Sequence, residues 1–261
     1  MTVTFLGTSH GITEKYTFCS SAAVTVGGKH YLVDAGAPLD TLLQNYDLSF
    51  WDVRGLFITH PHQDHYSGLC QLVFTMEDYA RFEGVSIPVY MPEGIRIDAL
   101  NVFLFGDPKG VPRYREENPP EYRVRFHTYP DADPAGSVIF DDGTLRVTAY
   151  PVRHCPHSHA LLLEAEGKRL LFTGDLSRDL SEYPALVSCA DRLDLVVTEA
   201  AHSRLSEPAV ADLYRETNTP RLVISHRNPD RNPLSAVEEL AAALAPKINV
   251  VAASDGMILN V

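Results

Sequence analysis

The stretch THPHQDHYSG, residues 59–68, decides the fold because it places four metal-binding side chains within six positions. These residues are His60, His62, Asp64 and His65. The apolar run GLFI at 55–58 precedes them and is typical of a buried strand. The cluster therefore follows the carboxyl end of a strand, where open α/β sheets place their sites. Imidazole and carboxylate groups bind zinc, iron or manganese, so we predict a metal site rather than a histidine-rich surface loop.

Length and charge restrict the class of protein. A chain of 261 residues that is 45% hydrophobic can bury the core of one large α/β domain, which we predict over residues 1–261. Its 22 basic and 34 acidic residues leave a net charge of −12, so we expect no stable nucleic-acid partner. We see neither a signal peptide nor an apolar run of about eighteen residues. We therefore expect a cytoplasmic protein without a membrane partner.

Short apolar and alternating runs predict strands, and apolar residues at helical spacing predict helices. The predicted strands of the first half include 2–6, 22–26, 30–33 and 87–91. Its predicted helices include 38–46 and 67–82. From residue 122 the chain is rich in predicted strands, and a late helix at 234–244 is opened by Asn232 and Pro233. Two β-rich blocks that each carry helices indicate an α/β protein with two packed sheets and helices outside.

The segment GDPKGVPRYREENPPE, residues 106–121, interrupts this pattern. Its four prolines and two glycines are incompatible with a regular helix or strand, so we predict a surface loop or lid. The wider segment 107–125 carries five basic and four acidic residues and is close to neutral. Two interpretations remain open: either the loop contributes one or two arginines to the binding of an anionic substrate, or it is simply a solvated surface.

Three later predicted strands also end in metal-binding side chains. These are His154 after VR, Asp175 after FTG and His226 after VIS. Each is weak by itself, because a lone histidine or aspartate at a strand end often has a structural role. Together with the first cluster they provide seven donors, enough for two metal ions.

The motif HxHxDHxxG, followed by a His, a GD pair and a late His, resembles the metallo-β-lactamase-fold hydrolases over residues 6–226. The resemblance implies a four-layer αββα sandwich of two mixed sheets, with a dinuclear site at their shared edge. The residues at the positions of the first metal's ligands are His60, His62 and His154. Those at the positions of the second metal's ligands are Asp64, His65 and His226. The resemblance also implies that Asp175 bridges both ions and that Asp34 orients the ligands from behind.

Charge counting favours an anionic substrate. Two divalent ions, two carboxylates and a bridging hydroxide sum to about +1, a charge that suits a phosphodiester. We therefore expect attack by the bridging hydroxide, with Asp64 holding or deprotonating that water. Zinc is the first expectation for the metal, although manganese and iron suit the same donors.

The segments FLGTSHG, LVDAG and VTEAAH most resemble the ribonuclease Z-like phosphodiesterase branch. In that branch a glutamate assists a histidine that protonates the leaving oxygen, and Glu199 matches the glutamate. The branch's histidine has no clear match here. His202 is a substitute general acid, or it merely caps or packs against the following helix. The resemblance also implies a homodimer.

Two features argue against tRNA processing itself. Only twenty residues separate His154 from Asp175, so the long arm of ribonuclease Z has no place there. The acidic net charge also disfavours a large RNA partner. We therefore predict a phosphodiesterase acting on a small anionic substrate such as a cyclic nucleotide or cyclic phosphate. The alternatives are a lactonase or other ester hydrolase of the same fold, and a metal-binding regulatory protein without turnover.

Overall fold

The computed structural model describes residues 1–78, 80–95, 102, 123–190, 192–217 and 221–261. The predicted loop or lid at 106–121 lies outside them. None of the helices in this described part combines the length and apolar character that crossing a bilayer requires.

The first sheet contains seven strands within the described residues. They are β1 (Thr2–Gly7), β2 (Ser21–Val26), β3 (Lys29–Val33), β4 (Val53–Phe57), β5 (Ile87–Pro92), β6 (Val124–Tyr129) and, from the end of the chain, β14 (Ile258–Asn260). Their order across the sheet is β14-β1-β2-β3-β4-β5-β6. Neighbours are antiparallel from β14 to β3 and parallel from β3 to β6, so the sheet is mixed.

The second sheet repeats this plan with seven strands of the described chain. They are β7 (Ser137–Asp141), β8 (Arg146–Pro151), β9 (His159–Ala165), β10 (Lys168–Phe172), β11 (Leu195–Ala200), β12 (Arg221–Arg227) and β13 (Asn249–Ala252). Their order is β13-β12-β11-β10-β9-β8-β7. The strands from β10 to β13 are parallel, and those from β7 to β10 are antiparallel.

Helices cover the outer faces of both sheets. The helices of the described residues are α1 (Leu39–Asn45), α2 (Gln63–Tyr66), α3 (Gly68–Asp78), α4 (Tyr183–Val187), α5 (Pro208–Glu216) and α6 (Leu234–Leu244). Leu42 of α1 and Leu72 of α3 pack into one core with the first sheet, and Leu240 of α6 packs into another with the second. Short 3-10 turns lie at Phe50–Asp52 and Ala80–Phe82.

A third core lies between the two sheets, and strand β3 shows how the sequence divides its side chains. Tyr31 and Val33 belong to the core between the sheets, whereas Leu32 belongs to the core under the helices. Successive side chains of a strand point to opposite faces, so a run of apolar residues serves both cores at once. Phe172 of β10 contributes to this same inter-sheet core from the second sheet. The predicted αββα sandwich of two mixed sheets is therefore confirmed.

Close backbone contacts bring the loop after β3 against the histidine cluster. A Cβ placed on Gly36 would lie 1.7 Å from the carbonyl oxygen of Asp64, and one on Gly68 would lie 1.8 Å from that of Ala37. Only glycine fits at either position. The backbone around the cluster at 60–65 therefore packs directly against the backbone of the loop that follows β3.

Candidate metal centre

The structure brings together all seven residues predicted as metal ligands, in two adjacent groups. The first group contains His60, His62, His154 and Asp175. The second group contains Asp64, His65 and His226. Within each group, one donor atom of every residue lies within 4.8 Å of the others. Both sheets contribute to each group: the residues of the first cluster follow β4, His154 follows β8, Asp175 follows β10 and His226 lies at the end of β12.

Asp175 lies between the two groups. It is buried and follows β10 after Gly174, which has a φ of +58°. Its Oδ2 atom is 3.6 Å from His154 Nε2 and 3.3 Å from His226 Nε2. Its Oδ1 atom is 3.4 Å from His65 Nε2. One carboxylate therefore faces imidazoles of both groups.

Asp34 holds the second group from behind. It follows β3 in a left-handed conformation with a φ of 61° and is buried. Its Oδ1 accepts hydrogen bonds from the Thr59 backbone N–H at 2.8 Å and from the Thr59 hydroxyl at 3.0 Å. Its Oδ2 lies 2.7 Å from His65 Nδ1. A proton held at Nδ1 leaves Nε2 of His65 free to bind a metal, the arrangement typical of metal-binding histidines.

The protonation of these buried groups depends on one another. Burial lowers the pKa of His60 well below its ordinary value, and the neighbouring His65 lowers it further. Burial also acts to lower the pKa of His65, but the carboxylates of Asp34 and Asp175 outweigh it and hold that pKa well above its ordinary value. For Asp175, burial acts to raise the pKa, yet His226 and His65 hold it well below the usual range. An ionised carboxylate among imidazoles is a site prepared for a cation.

Unpartnered buried atoms show that this donor set fits metal ions. Nε2 of His60, Nε2 of His65 and Oδ1 of Asp175 are buried and have no hydrogen-bond partner within the described ranges. Buried polar atoms normally have a hydrogen-bond partner, so these unpartnered atoms are free to bind a metal ion. Nitrogen and carboxylate donors are those of zinc, manganese and iron sites. His62 is exposed and His154 half-buried, so the first group opens to solvent on their side.

Glu199 and His202 lie beside the first group. Glu199 is buried at the end of β11, and its Oε2 accepts hydrogen bonds from the backbone N–H groups of Ala201 and His202. Its Oε1 is 3.5 Å from His202 Nδ1 and raises the pKa of His202 above the ordinary value. The His202 ring lies 4.6 Å from that of His154. Helix α5 begins at Pro208, so His202 does not occupy its capping position.

Sequence reasoning assigned no role to Thr59, although it lies in the opening stretch. Its hydroxyl contacts both oxygens of Asp34 and lies 3.0 Å from His60 Nδ1. The only sequence signal for this role was a hydroxyl residue directly before the first histidine of the cluster. It was not enough, because the partner Asp34 lies 25 positions away along the chain.

Comparison with known proteins gives the family. Residues 1–207 match the family described as Anti-Pycsar protein Apyc1, which is most of the chain. The chain belongs to this Apyc1 family. The curated relatives include proteins named ribonuclease Z, among them those of a Synechococcus and a Halobacterium strain. That of Synechococcus sp. (strain CC9311) is 31% identical over 192 residues, 73% of this Apyc1-family chain and 57% of the relative. That of Halobacterium salinarum (strain ATCC 29341 / DSM 671 / R1) is 36% identical over 126 residues, 48% and 40% of the two chains. The chain spans about half the length of the curated relatives it matches.

Solved structures show the fold of this Apyc1-family member. The metallo-β-lactamase fold protein YhfI from Bacillus subtilis has a TM-score of 0.71 at 16% identity, covering 99% of this chain and 98% of that one. Zn(2+)-bound PqqB from Methylobacterium extorquens has a TM-score of 0.72 at 16% identity, covering 100% of both chains. Human tRNase Z, short form, has a TM-score of 0.65 at 21% identity over 100% and 99%. The predicted likeness to metallo-β-lactamase-fold proteins near ribonuclease Z is confirmed.

Proposed function

We propose that this chain is a metal-dependent phosphodiesterase that hydrolyses a small anionic substrate, such as a cyclic nucleotide or cyclic phosphate. The observation that carries the proposal is the convergence of seven nitrogen and oxygen donors on the two sides of Asp175. The curated relatives named ribonuclease Z support a phosphoester substrate. The short connection between His154 and Asp175 and the net charge of −12 favour a small substrate over a long RNA.

The residues present would hold two ions. The first would be held by His60, His62 and His154. The second would be held by Asp64, His65 and His226. Asp175 would contact both, and zinc, manganese and iron all suit this set. When bound, such ions would act as Lewis acids at the phosphoryl oxygens and would lower the pKa of a bound water to about 7.

Asp64 is placed to hold a proton from the attacking water. Its Oδ2 is 3.7 Å from His226 Nε2 and 4.0 Å from His65 Nε2, beside both candidate ligands of its own group. The Asp64 side chain is only partly buried, so a reacting molecule can reach it. Oδ2 of Asp64 is therefore the atom that orients the water and accepts its proton.

His202 is placed to protonate the leaving oxygen. Its Nδ1 faces Oε1 of Glu199 at 3.5 Å, which leaves Nε2 free to face the substrate. The Glu199 carboxylate raises the pKa of His202, and this favours the protonated, proton-donating form. The partly exposed ring adjoins His154 on the side where the first group opens to solvent.

A metal-resolved activity screen tests the proposal. The protein is stripped with a chelator, reloaded with zinc, manganese or iron, and assayed on bis(p-nitrophenyl) phosphate, cyclic nucleotides and a lactone panel. We expect metal-dependent hydrolysis of the phosphodiesters. Turnover of lactones alone would favour the lactonase alternative, and bound metal without turnover of any of these substrates would favour the regulatory alternative.

Two variants make the screen specific to the site. His202→Ala should lower turnover of cyclic nucleotides by about 10²- to 10⁴-fold, because the leaving alkoxide loses its proton donor, while bound metal stays unchanged. His127→Ala is the matched control, since this exposed histidine stacks on Tyr90 of the first sheet and belongs to neither ligand group. Its activity should equal that of the unmodified protein. Light scattering tests the homodimer that we also propose from the family resemblance.

A further inference from the structure

We propose that Asn232 and Arg231 are positioning residues that hold the turn carrying His202 against the loop that follows His226. This inference rests on the proposed role of His202. The turn spans residues 201–207, between the end of β11 at Ala200 and the start of α5 at Pro208. Because this turn lies outside the helices and strands, groups elsewhere in the chain must satisfy most of its backbone.

Asn232 fixes the turn on both sides of His202. Its side chain is completely buried, with 0% exposure. Its Nδ2 donates to the carbonyl oxygens of Ala200 at 2.7 Å and of Ser203 at 2.8 Å. Its Oδ1 accepts the backbone N–H of Leu205 at 2.9 Å. Both amide hydrogens and the amide oxygen are thus used, and all three bonds go to the backbone of one short segment.

Arg231 reaches the turn at its centre. Its Nη1 donates to the carbonyl oxygens of Ala201 and His202, each at 2.9 Å. The guanidinium therefore binds the backbone of the proposed proton donor itself. Because Arg231 is exposed, it contributes little to the core, and it acts on the turn through these two hydrogen bonds.

The loop that supplies these side chains is itself a hydrogen-bonded turn next to a candidate ligand. Asn228, two residues after His226, accepts the backbone N–H groups of Arg231 at 3.2 Å and of Asn232 at 2.7 Å. The backbone N–H of Asn228 donates to the Ala200 carbonyl at 3.3 Å. The two loops are therefore joined at both ends, and the position of His202 is tied to that of His226.

This tie matters because Nδ1 of the His202 ring has no hydrogen-bond partner among the residues that the structure describes. Its Nδ1 is 3.5 Å from Glu199 Oε1 and 3.8 Å from Asp175 Oδ2. Displacing a reacting group by about 1 Å lowers turnover on the order of 100-fold. Loosening the turn should therefore weaken proton donation while leaving the metal ligands in place.

Two esters that differ only in leaving group test the idea in the zinc-loaded protein. Methyl phenyl phosphate needs its leaving oxygen protonated, whereas methyl 4-nitrophenyl phosphate releases a stabilised anion. We expect Arg231→Met to lower kcat for the phenyl ester about 10- to 100-fold and for the nitrophenyl ester less than about threefold, with KM and bound zinc unchanged. Asn232→Asp, which keeps the acceptor for Leu205 but loses both donors, should act in the same direction. Arg215→Met is the matched control, because Arg215 also donates to a backbone carbonyl, that of Ala243 at 3.2 Å, outside the site.

Two further measurements separate positioning from general destabilisation. Hydrogen exchange of the peptide spanning 200–205 should be faster in Arg231→Met and unchanged in Arg215→Met. The double variant Arg231→Met/His202→Ala should lose no more activity on the phenyl ester than His202→Ala alone, since Arg231 acts through His202.

The outcomes distinguish this inference from the proposed function. Equal losses on both esters, or losses that multiply in the double variant, would show a merely structural role and overturn the inference. Leaving-group dependence in His202→Ala but not in Arg231→Met would overturn the inference alone. No leaving-group dependence in His202→Ala would overturn the proposed role of His202 and the inference with it.

Discussion

The carboxylate of Asp34 allows a direct test of how the fold prepares His65, a proposed metal ligand. Its Oδ2 lies 2.7 Å from His65 Nδ1, while its Oδ1 accepts two hydrogen bonds from Thr59. The variant Asp34→Asn keeps the shape of the side chain and one oxygen for Thr59. It then places an NH₂ group against His65 Nδ1. That ring nitrogen must become an acceptor, so the ring proton moves to Nε2, the atom that faces Asp175.

The expected loss follows from this change of tautomer. A histidine protonated at Nε2 cannot bind a metal through that atom without first giving up the proton. Loss of the carboxylate partner of a metal-binding histidine lowers metal affinity about 10- to 100-fold. This corresponds to about 1.4–2.7 kcal/mol. Only the ion of the second group should be affected, because His65 belongs to that group alone.

Zinc competition against a chromophoric chelator near neutral pH measures both affinities, and elemental analysis gives the stoichiometry. We expect one site of unchanged affinity and one weakened site in Asp34→Asn. Asp131→Asn is the matched control, because Asp131 Oδ1 lies 2.8 Å from His157 Nδ1 but His157 belongs to neither group. Two sites of unchanged affinity in Asp34→Asn, or equal weakening in Asp131→Asn, would refute this account of Asp34.

Three further variants test other parts of the structure. Gly36→Ala would place a Cβ 1.7 Å from the carbonyl oxygen of Asp64, so thermal unfolding should show a loss of about 3 kcal/mol and reduced metal binding. Asp175→Asn should lose at least half of the bound zinc in elemental analysis, since both ligand groups lose their shared carboxylate. Burial acts to raise the pKa of Asp142, but hydrogen bonds from Leu145 and Tyr31 outweigh it and hold that pKa below the ordinary value. The free energy of unfolding of the unmodified protein should therefore exceed that of Asp142→Asn at neutral pH, and this difference should disappear as the pH falls below about 4. Urea unfolding at a series of pH values measures it.

The pattern of strand ends indicated seven candidate donors, and the family resemblance divided them between two ions. His154, Asp175 and His226 are far apart in the chain, yet His154 and Asp175 follow strands of the second sheet and His226 lies at the end of another, β12. Strands that run in the same direction end at the same edge of a sheet. Residues at those ends can therefore be expected to lie close together even when the packing is not known. Two β-rich blocks predicted two packed sheets with helices outside, and the family resemblance implied the αββα sandwich of mixed sheets.

Element boundaries were predicted less well. The apolar spacing over 67–82 predicted one helix, whereas the structure has α3 ending at Asp78 and a separate 3-10 turn at Ala80–Phe82. A 3-10 turn has three residues per turn, close enough to the 3.6 of an α-helix that a short apolar pattern does not separate them.

Side chains that bind distant backbone could not be predicted at all. In the sequence, Asn232 and Pro233 indicated only the start of a helix, and α6 does begin directly after Pro233. The structure shows that the Asn232 side chain instead binds Ala200, Ser203 and Leu205, between 27 and 32 positions away. No local pattern records such a partner, because the contact exists only after β11 and β12 have paired.

Each ligand group draws on both sheets, and this links metal binding to the packing of the sandwich. In the second group Asp64 and His65 follow β4 of the first sheet, whereas His226 lies on β12 of the second. Neither sheet alone offers a complete set, so the core between the sheets must form before the donors converge. Metal binding then stabilises that packed arrangement over any state in which the sheets have separated. A substitution in the inter-sheet core, such as at Phe172, should therefore weaken metal binding by shifting one half of each group relative to the other, even where both sheets keep their own hydrogen bonds.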